Sequence, residues 1–147
     1  MDKLDIGILK ELQENSRIAF RDLGGKFGVS AQTISDRVSK LKDRGIIEKF
    51  TLKLNFEKMG YPINFLVELD VELKRMREIQ EGLFELSELH LIYVVTGIHD
   101  IIALGIARDI EHLHEIIEEK ISKIPGVKAT TTSISLKTVK ETEKKVK

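Results

Sequence analysis

Residues 17–47 read RIAFRDLGGKFGVSAQTISDRVSKLKDRGII. Phe20, Leu23 and Phe27 recur at helical spacing, and Gly28 follows where a helix ends on a residue tolerant of positive φ. Ser30 then stands as an N-cap, and Ile34, Val38 and Leu41 form the apolar stripe of a second helix. Gly45 closes that helix. A turn as short as Gly28-Val29-Ser30 sets the two helices at a steep angle, with their apolar stripes meeting. One face of the later helix is left outside, carrying Gln32, Thr33, Ser35, Asp36, Arg37, Ser39 and Lys40.

Working outward, Leu4, Ile8, Leu9 and Leu12 predict a preceding helix, with Asp2 and Asp5 placed to favour its N-terminus. Downstream, Phe50, Leu52 and Leu54 alternate with Thr51 and Lys53, which predicts a strand. Residues 1–55 thus read as a helix-turn-helix domain, winged-helix-like, whose outer helix suits double-stranded DNA. Gln32 and Arg37 have the donor geometry to read base edges, while Ser30, Thr33, Ser35 and Lys40 suit phosphates. Asp36 opposes this unless it pairs with Arg37 or Lys40 or accepts from a cytosine. Gly24-Gly25 costs about 1 kcal/mol per glycine relative to alanine, which close packing of the second helix on the third would explain.

After a linker at 56–61, residues 62–140 alternate between two periods. Ile63, Phe65, Val67, Leu69 and Val71 give a strand, and Met76, Ile79, Leu83 and Leu86 a helix. Leu89–Thr96 and Ile101–Ala107 follow as strands around the turn Gly97-Ile98-His99-Asp100. Leu113, Ile116, Ile117 and Ile121 mark a second helix capped by Asp109, and Val127–Val139 a last strand. The order βαββαβ predicts a ferredoxin-like sandwich with both helices on one sheet face, so the whole chain is α+β. Leu91–Val95 and Ile101–Ile106 are nearly continuous apolar runs, although two helices cover only one face. A second copy of the chain, sheet against sheet, is the economical cover, and it suits a helix-turn-helix that reads paired half-sites.

Composition sets the outer bounds. With 147 residues, 41% apolar and 33% charged, the chain is long enough for two small cores and too apolar for disorder. The net charge is zero but uneven: 11 basic against 8 acidic residues over 1–54, 7 against 14 over 55–127, and 6 against 2 over 128–147. A positive lobe attached to an acidic body suggests that only one end meets a polyanion. Without cysteine there is no disulfide or thiol chemistry. No stretch approaches the roughly 18 apolar residues of a membrane span, and the acidic start is unlike a secretory leader, so a cytoplasmic protein is expected. His90, His99, His112 and His114 offer no metal-ligand spacing and read as surface residues; no cofactor is called for. No nucleophile or phosphate-loop motif is present, so an enzyme is not expected.

The segments LDIGILKELQENSRIAFRDLGGKFGVSAQTISDRVSKLKDRGIIEKF, VVTGIHDIIALGIARD and KISKIPGVKATTTSISL resemble the Lrp/AsnC family of feast/famine regulators, from Leu4 to about Lys137. That resemblance implies a C-terminal domain that dimerises, assembles into tetramers or octamers, and binds an amino-acid effector. It places Gly97 and Asp100 in the effector turn, the carboxylate pairing with an ammonium group. Thr130, Thr131, Thr132 and Ser133 would approach from a neighbouring dimer. The opposing reading is a plain β-turn in which Asp100 caps its own backbone.

Two departures stand out. Gly24 stands where the family usually has a small residue such as alanine, and the resemblance assigns no role to His99; within the turn it could tune effector choice or respond to pH. Residues 141–147 read as a solvated, charged tail. The chain is therefore expected to be a sequence-specific transcriptional regulator modulated by an amino acid or similar effector. The rival is a metabolite-binding oligomeric sensor or scaffold whose N-terminal domain binds protein. Such an interface would favour apolar or aromatic anchors on the outer helix, and none stands there.

Overall fold

In the computed structural model, which describes residues 1–142 and 144–147, the chain divides into two units. One comprises Met1–Lys53 with Lys140–Lys147, the other Leu54–Val139.

In the first unit, α1 (Lys3–Glu14), α2 (Phe20–Phe27) and α3 (Ala31–Asp43) follow one another. Asp2 and Asp5 form a reciprocal capping box at the start of α1. Gly28 takes φ 67°, and Val29 N–H returns to the Gly24 carbonyl at 2.9 Å, so α2 ends where the sequence predicts. Ser30 caps α3 by accepting from Thr33 N–H at 3.0 Å. Ile8, Leu12, Leu23, Ile34 and Val38 form the core between the helices. Each fully buried aliphatic side chain contributes about 2 kcal/mol.

The strand expected at Phe50–Leu54 is not formed; this stretch joins no ladder among the described residues. The alternation is present, yet a strand needs a hydrogen-bonded neighbour, and Phe50, Leu52 and Leu54 are left exposed. The terminal segment, read from sequence as a solvated tail, makes specific contacts. Gln13 donates to the Lys144 carbonyl at 2.8 Å and accepts from Val146 N–H at 2.9 Å. Lys145 pairs with Glu14, and Lys53 donates to the Glu141 carbonyl at 3.2 Å. Glu143, within that tail, lies outside the described residues.

In the second unit, β1 (Ile63–Val71), α4 (Met76–Phe84), β2 (Leu89–Val94), β3 (Ile101–Ala107), α5 (Ile110–His114) and β4 (Val127–Ile134) give the expected βαββαβ order. A short 3-10 turn, Leu73–Arg75, leads into α4, and α5 continues as a π-helix over Glu115–Ile121. Asp109 caps α5, accepting from His112 N–H at 2.7 Å. The sheet is antiparallel throughout, in the order β2-β3-β1-β4. Both helices bury Phe65, Val67, Leu69 and Val71 of β1 with Ile79, Leu83, Ile116 and Ile121.

The last strand is shorter than the predicted Val127–Val139. Its final bond is Ser135 N–H to the Asn64 carbonyl at 2.8 Å, where β1 has run out of partner. Leu136 and Val139 are accordingly exposed.

Within this unit, no helix among the described residues covers the opposite sheet face. Ladder partners point the same way, so Leu66 and Glu68 of β1 share this face with Ile102 and Leu104 of β3 and with Leu91 and Tyr93 of β2. Tyr93 is 51% exposed. The pattern of a half-covered sheet read from sequence is thus present in the folded chain.

Candidate nucleic-acid interface and effector turn

On α3, burial of Ile34, Val38 and Leu41 leaves Gln32, Asp36, Ser39, Lys40 and Lys42 exposed. Ser30 and Thr33 are tied to each other at the cap, with their hydroxyl oxygens 2.9 Å apart. Gln32 donates to Asp36 Oδ1 at 2.8 Å, one helical turn on. Asp36 is therefore engaged by Gln32 and by neither Arg37 nor Lys40. Ser35 and Thr33 are half-buried at the edge of the face, and Lys40 projects from it.

Arg37 has a different setting from its neighbours. Its guanidinium Nη1 reaches across to α1, bonding Asp2 Oδ2 and Asp5 Oδ1, the latter at 3.1 Å. Both carboxylates already close the capping box, so one arginine ties the start of α1 to the middle of α3. The Asp5 backbone N–H and the Arg37 guanidinium hold the Asp2 carboxyl below its ordinary range. The two aspartates in turn raise Arg37 further. The sequence marked Asp2 and Asp5 only as a helix start; their second role needs the tertiary meeting of α1 and α3.

The Gly97–Asp100 turn joins β2 to β3. Gly97 takes φ 128°, a conformation side chains rarely adopt. Val95 N–H bonds the Asp100 carbonyl at 3.0 Å and closes the turn. Asp100 then anchors it to β1: its N–H donates to the Leu69 carbonyl at 3.0 Å, and its Oδ2 accepts from Val71 N–H at 2.9 Å. The carboxylate thus serves a neighbouring strand, not the backbone of its own turn. Its other oxygen meets no protein donor among the described residues.

His99 lies over β1, with Nδ1 2.9 Å from Asp70 Oδ1 and Nε2 3.6 Å from Glu68 Oε2. The hydrogen bond to Asp70, reinforced by the charges of Asp70, Glu68 and Asp100, raises its pKa against partial desolvation. Glu68 and Asp70 were not singled out from sequence, where they appeared only as the polar half of an alternating strand. Thr131 and Ser133 pair with Glu68 and Leu66 and share the helix-free face. Thr130 and Thr132 pair with Leu69 and Val67 and lie on the other. One chain therefore does not gather the four β4 residues around the turn.

His112, expected on the surface, is buried. Its Nδ1 accepts from Arg108 N–H at 3.1 Å, and its Nε2 lies 3.6 Å from Glu88. Burial alone would raise the Glu88 pKa, but the Lys120 ammonium and the backbone bring it below the usual range. No helix among the described residues is long and apolar enough to cross a membrane.

Comparison with known proteins agrees with this architecture. Residues 1–48 match the winged helix-turn-helix DNA-binding family, and residues 64–144 the Lrp/AsnC ligand binding domain. The transcriptional regulator LrpA of Pyrococcus horikoshii is 34% identical over 140 residues, 95% of this chain and 99% of the relative. Ptr1 of Methanocaldococcus jannaschii, another helix-turn-helix regulator, is 31% identical over 98% of this chain and 97% of its own. The structure of Escherichia coli AsnC superposes with a TM-score of 0.94 at 30% identity, over 97% of each chain. A Neisseria meningitidis regulator solved with L-Met shares the fold at TM-score 0.91 and 22% identity, over 97% of this chain and 94% of that one. With both halves matched in order and relatives aligned almost end to end, the chain belongs to the Lrp/AsnC family of transcriptional regulators.

Proposed function

We propose that this regulator binds DNA sequence-specifically as a homo-oligomer and that an amino acid or similar small effector modulates it through the second unit. The observation that carries the DNA reading is α3. It is capped by Ser30, seated on the core through Ile34, Val38 and Leu41, and presents Gln32, Ser39 and Lys40 with no apolar anchor between them. Gln32 is the base reader in this reading, while Ser30, Thr33, Ser35 and Lys40 hold phosphates. Arg37, bound by two aspartates, reaches DNA only by exchanging them for a phosphate or a base edge.

The helix-free sheet face supports self-association. Leu66, Leu91, Ile102 and Leu104 form an apolar surface that a second copy would cover, and a dimer would present two α3 helices to paired half-sites. Tetramers or octamers would follow from further contacts between dimers. The Gly97–Asp100 turn supports the effector reading. Asp100 keeps one carboxylate oxygen for an ammonium group, with His99 alongside, and Thr131 and Ser133 stand on the open face for a neighbouring dimer to meet. L-Met, present in the Neisseria relative's complex, gives the size of ligand to try first.

Fluorescence anisotropy tests the reading directly, with one duplex from the gene's own upstream region and one scrambled, at low and physiological salt. Preference for the upstream duplex that persists at physiological salt is expected. Equal, salt-labile binding to both would overturn sequence specificity.

A further inference from the structure

The turn between β2 and β3 is fastened to β1 by two contacts of different kind. One is Asp100, bonded to the Leu69 carbonyl and the Val71 N–H. The other is His99, whose ring bridges toward two carboxylates, Glu68 and Asp70, that stand two residues apart on one face of β1. Because a carboxylate only accepts, Nδ1 at 2.9 Å from Asp70 carries the proton in either charge state. Nε2 differs between states. In the neutral ring it presents a lone pair to Glu68, 3.6 Å away, which is repulsive; in the protonated ring it presents N–H⁺ to the same carboxylate.

The ladder neighbours of Glu68 and Asp70 add no competing charge: Ile102 on β3, and Thr131 and Ala129 on β4. Asp100, in the same turn, adds a third negative charge near the ring. The imidazole itself contacts two carboxylates, Glu68 and Asp70.

We propose that His99 is a positioning residue for the Gly97–Asp100 turn and works as a proton-operated latch, bridging Glu68 and Asp70 when protonated and releasing Glu68 when neutral. The latch is closed below the ordinary histidine value of 6.5 and opens as pH rises through the raised value of the folded protein. Its regulatory meaning rests on the reading of this turn as the effector site: a turn held at both points is pre-organised, so effector binding tightens toward acid pH.

The test is an NMR pH titration of the full chain labelled at histidine Cε1, with amide exchange followed at Val71 and Asp100, the two N–H groups that fasten the turn to β1. The expected His99 midpoint lies above that of free histidine, and falls in both Asp70→Asn and Glu68→Gln. Protection of the two amides should drop through the same midpoint and show no step in His99→Gln. A midpoint at the free value, or one that neither variant moves, overturns the latch. Repeating the titration with the standard amino acids added singly separates the two readings. Absence of any amino-acid response while His99 still titrates overturns the effector reading alone. An amino-acid affinity that is flat across that midpoint overturns the regulatory role of the latch.

Discussion

Gln32 and Asp36 are joined side chain to side chain at 2.8 Å on the exposed face of α3. The amide that would read a base edge is held by the carboxylate least welcome near phosphates. Replacing Asp36 by Ala removes the charge and the acceptor together and frees the amide. Affinity for every duplex should then rise, by about threefold at physiological salt. Anisotropy titrations decide it, and unchanged or weaker binding would place this face away from DNA.

Arg37→Ala leaves Asp5, nearly buried, without its cation. The expected result is a fall in melting temperature, of roughly 5 °C for a domain of this size. DNA of every sequence should bind more weakly, because α3 loses its tie to α1. Gln32→Ala should instead relax sequence preference with little change in stability. A loss in Arg37→Ala confined to one base position would make Arg37 a direct reader.

The Asp2 carboxyl is held low by the Asp5 backbone N–H and by Arg37. A lowered pKa contributes stability that is present above the ordinary value of 3.8 and is lost as pH falls through the lowered one. Melting curves of wild type and Asp2→Asn should therefore differ at neutral pH and converge in acid below 3.8. A gap that stays constant into acid would show that the charge is not what Asp2 contributes.

Gly24 and Gly25 predict opposite outcomes. A Cβ on Gly24 would sit 2.6 Å from the Val29 carbonyl oxygen, a backbone atom that cannot turn aside, whereas one on Gly25 meets nothing within 4 Å. Gly24→Ala should destabilise by about 1–3 kcal/mol despite its helical gain. Gly25→Ala should stabilise by about 0.5–1 kcal/mol. Thermal melts of the two variants suffice; a neutral Gly24→Ala would mean the α2–α3 turn has slack.

Asp100→Asn keeps an oxygen for Val71 N–H and loses the charge for an ammonium group. DNA binding should survive and the effect of an added amino acid on it should vanish. A retained response would move the effector site off this turn.

Much of the fold was legible because it rests on local periodicity. The caps at Ser30 and Asp109, the turn at Gly28 and the βαββαβ order all follow from spacing. What failed depended on partners. Phe50–Leu54 alternates like a strand but pairs with no strand among the described residues, and β4 stops at Ile134 because β1 begins at Ile63. The same holds for the candidate sites. Gln32 and Lys40 are where helical spacing puts them, but the binding of Arg37 to α1 and of His99 to β1 joins residues about 30 apart. The close approach that excludes a side chain at Gly24, read from sequence as packing, does not extend to Gly25, for which the structure offers no reason.

β1 lies between β3 and β4 and is bonded to both. Its odd-numbered residues, Phe65 to Val71, lie under the helices, while its even-numbered ones carry Leu66, Glu68 and Asp70 to the other side. Parity is therefore a constraint on how this strand can change. A one-residue insertion or deletion near its middle would exchange the two sets beyond that point, sending Glu68 or Asp70 into the core and stripping His99 of its partners together. A two-residue change would restore the alternation and shift only the register. Length variation in β1 should thus be tolerated in pairs or not at all.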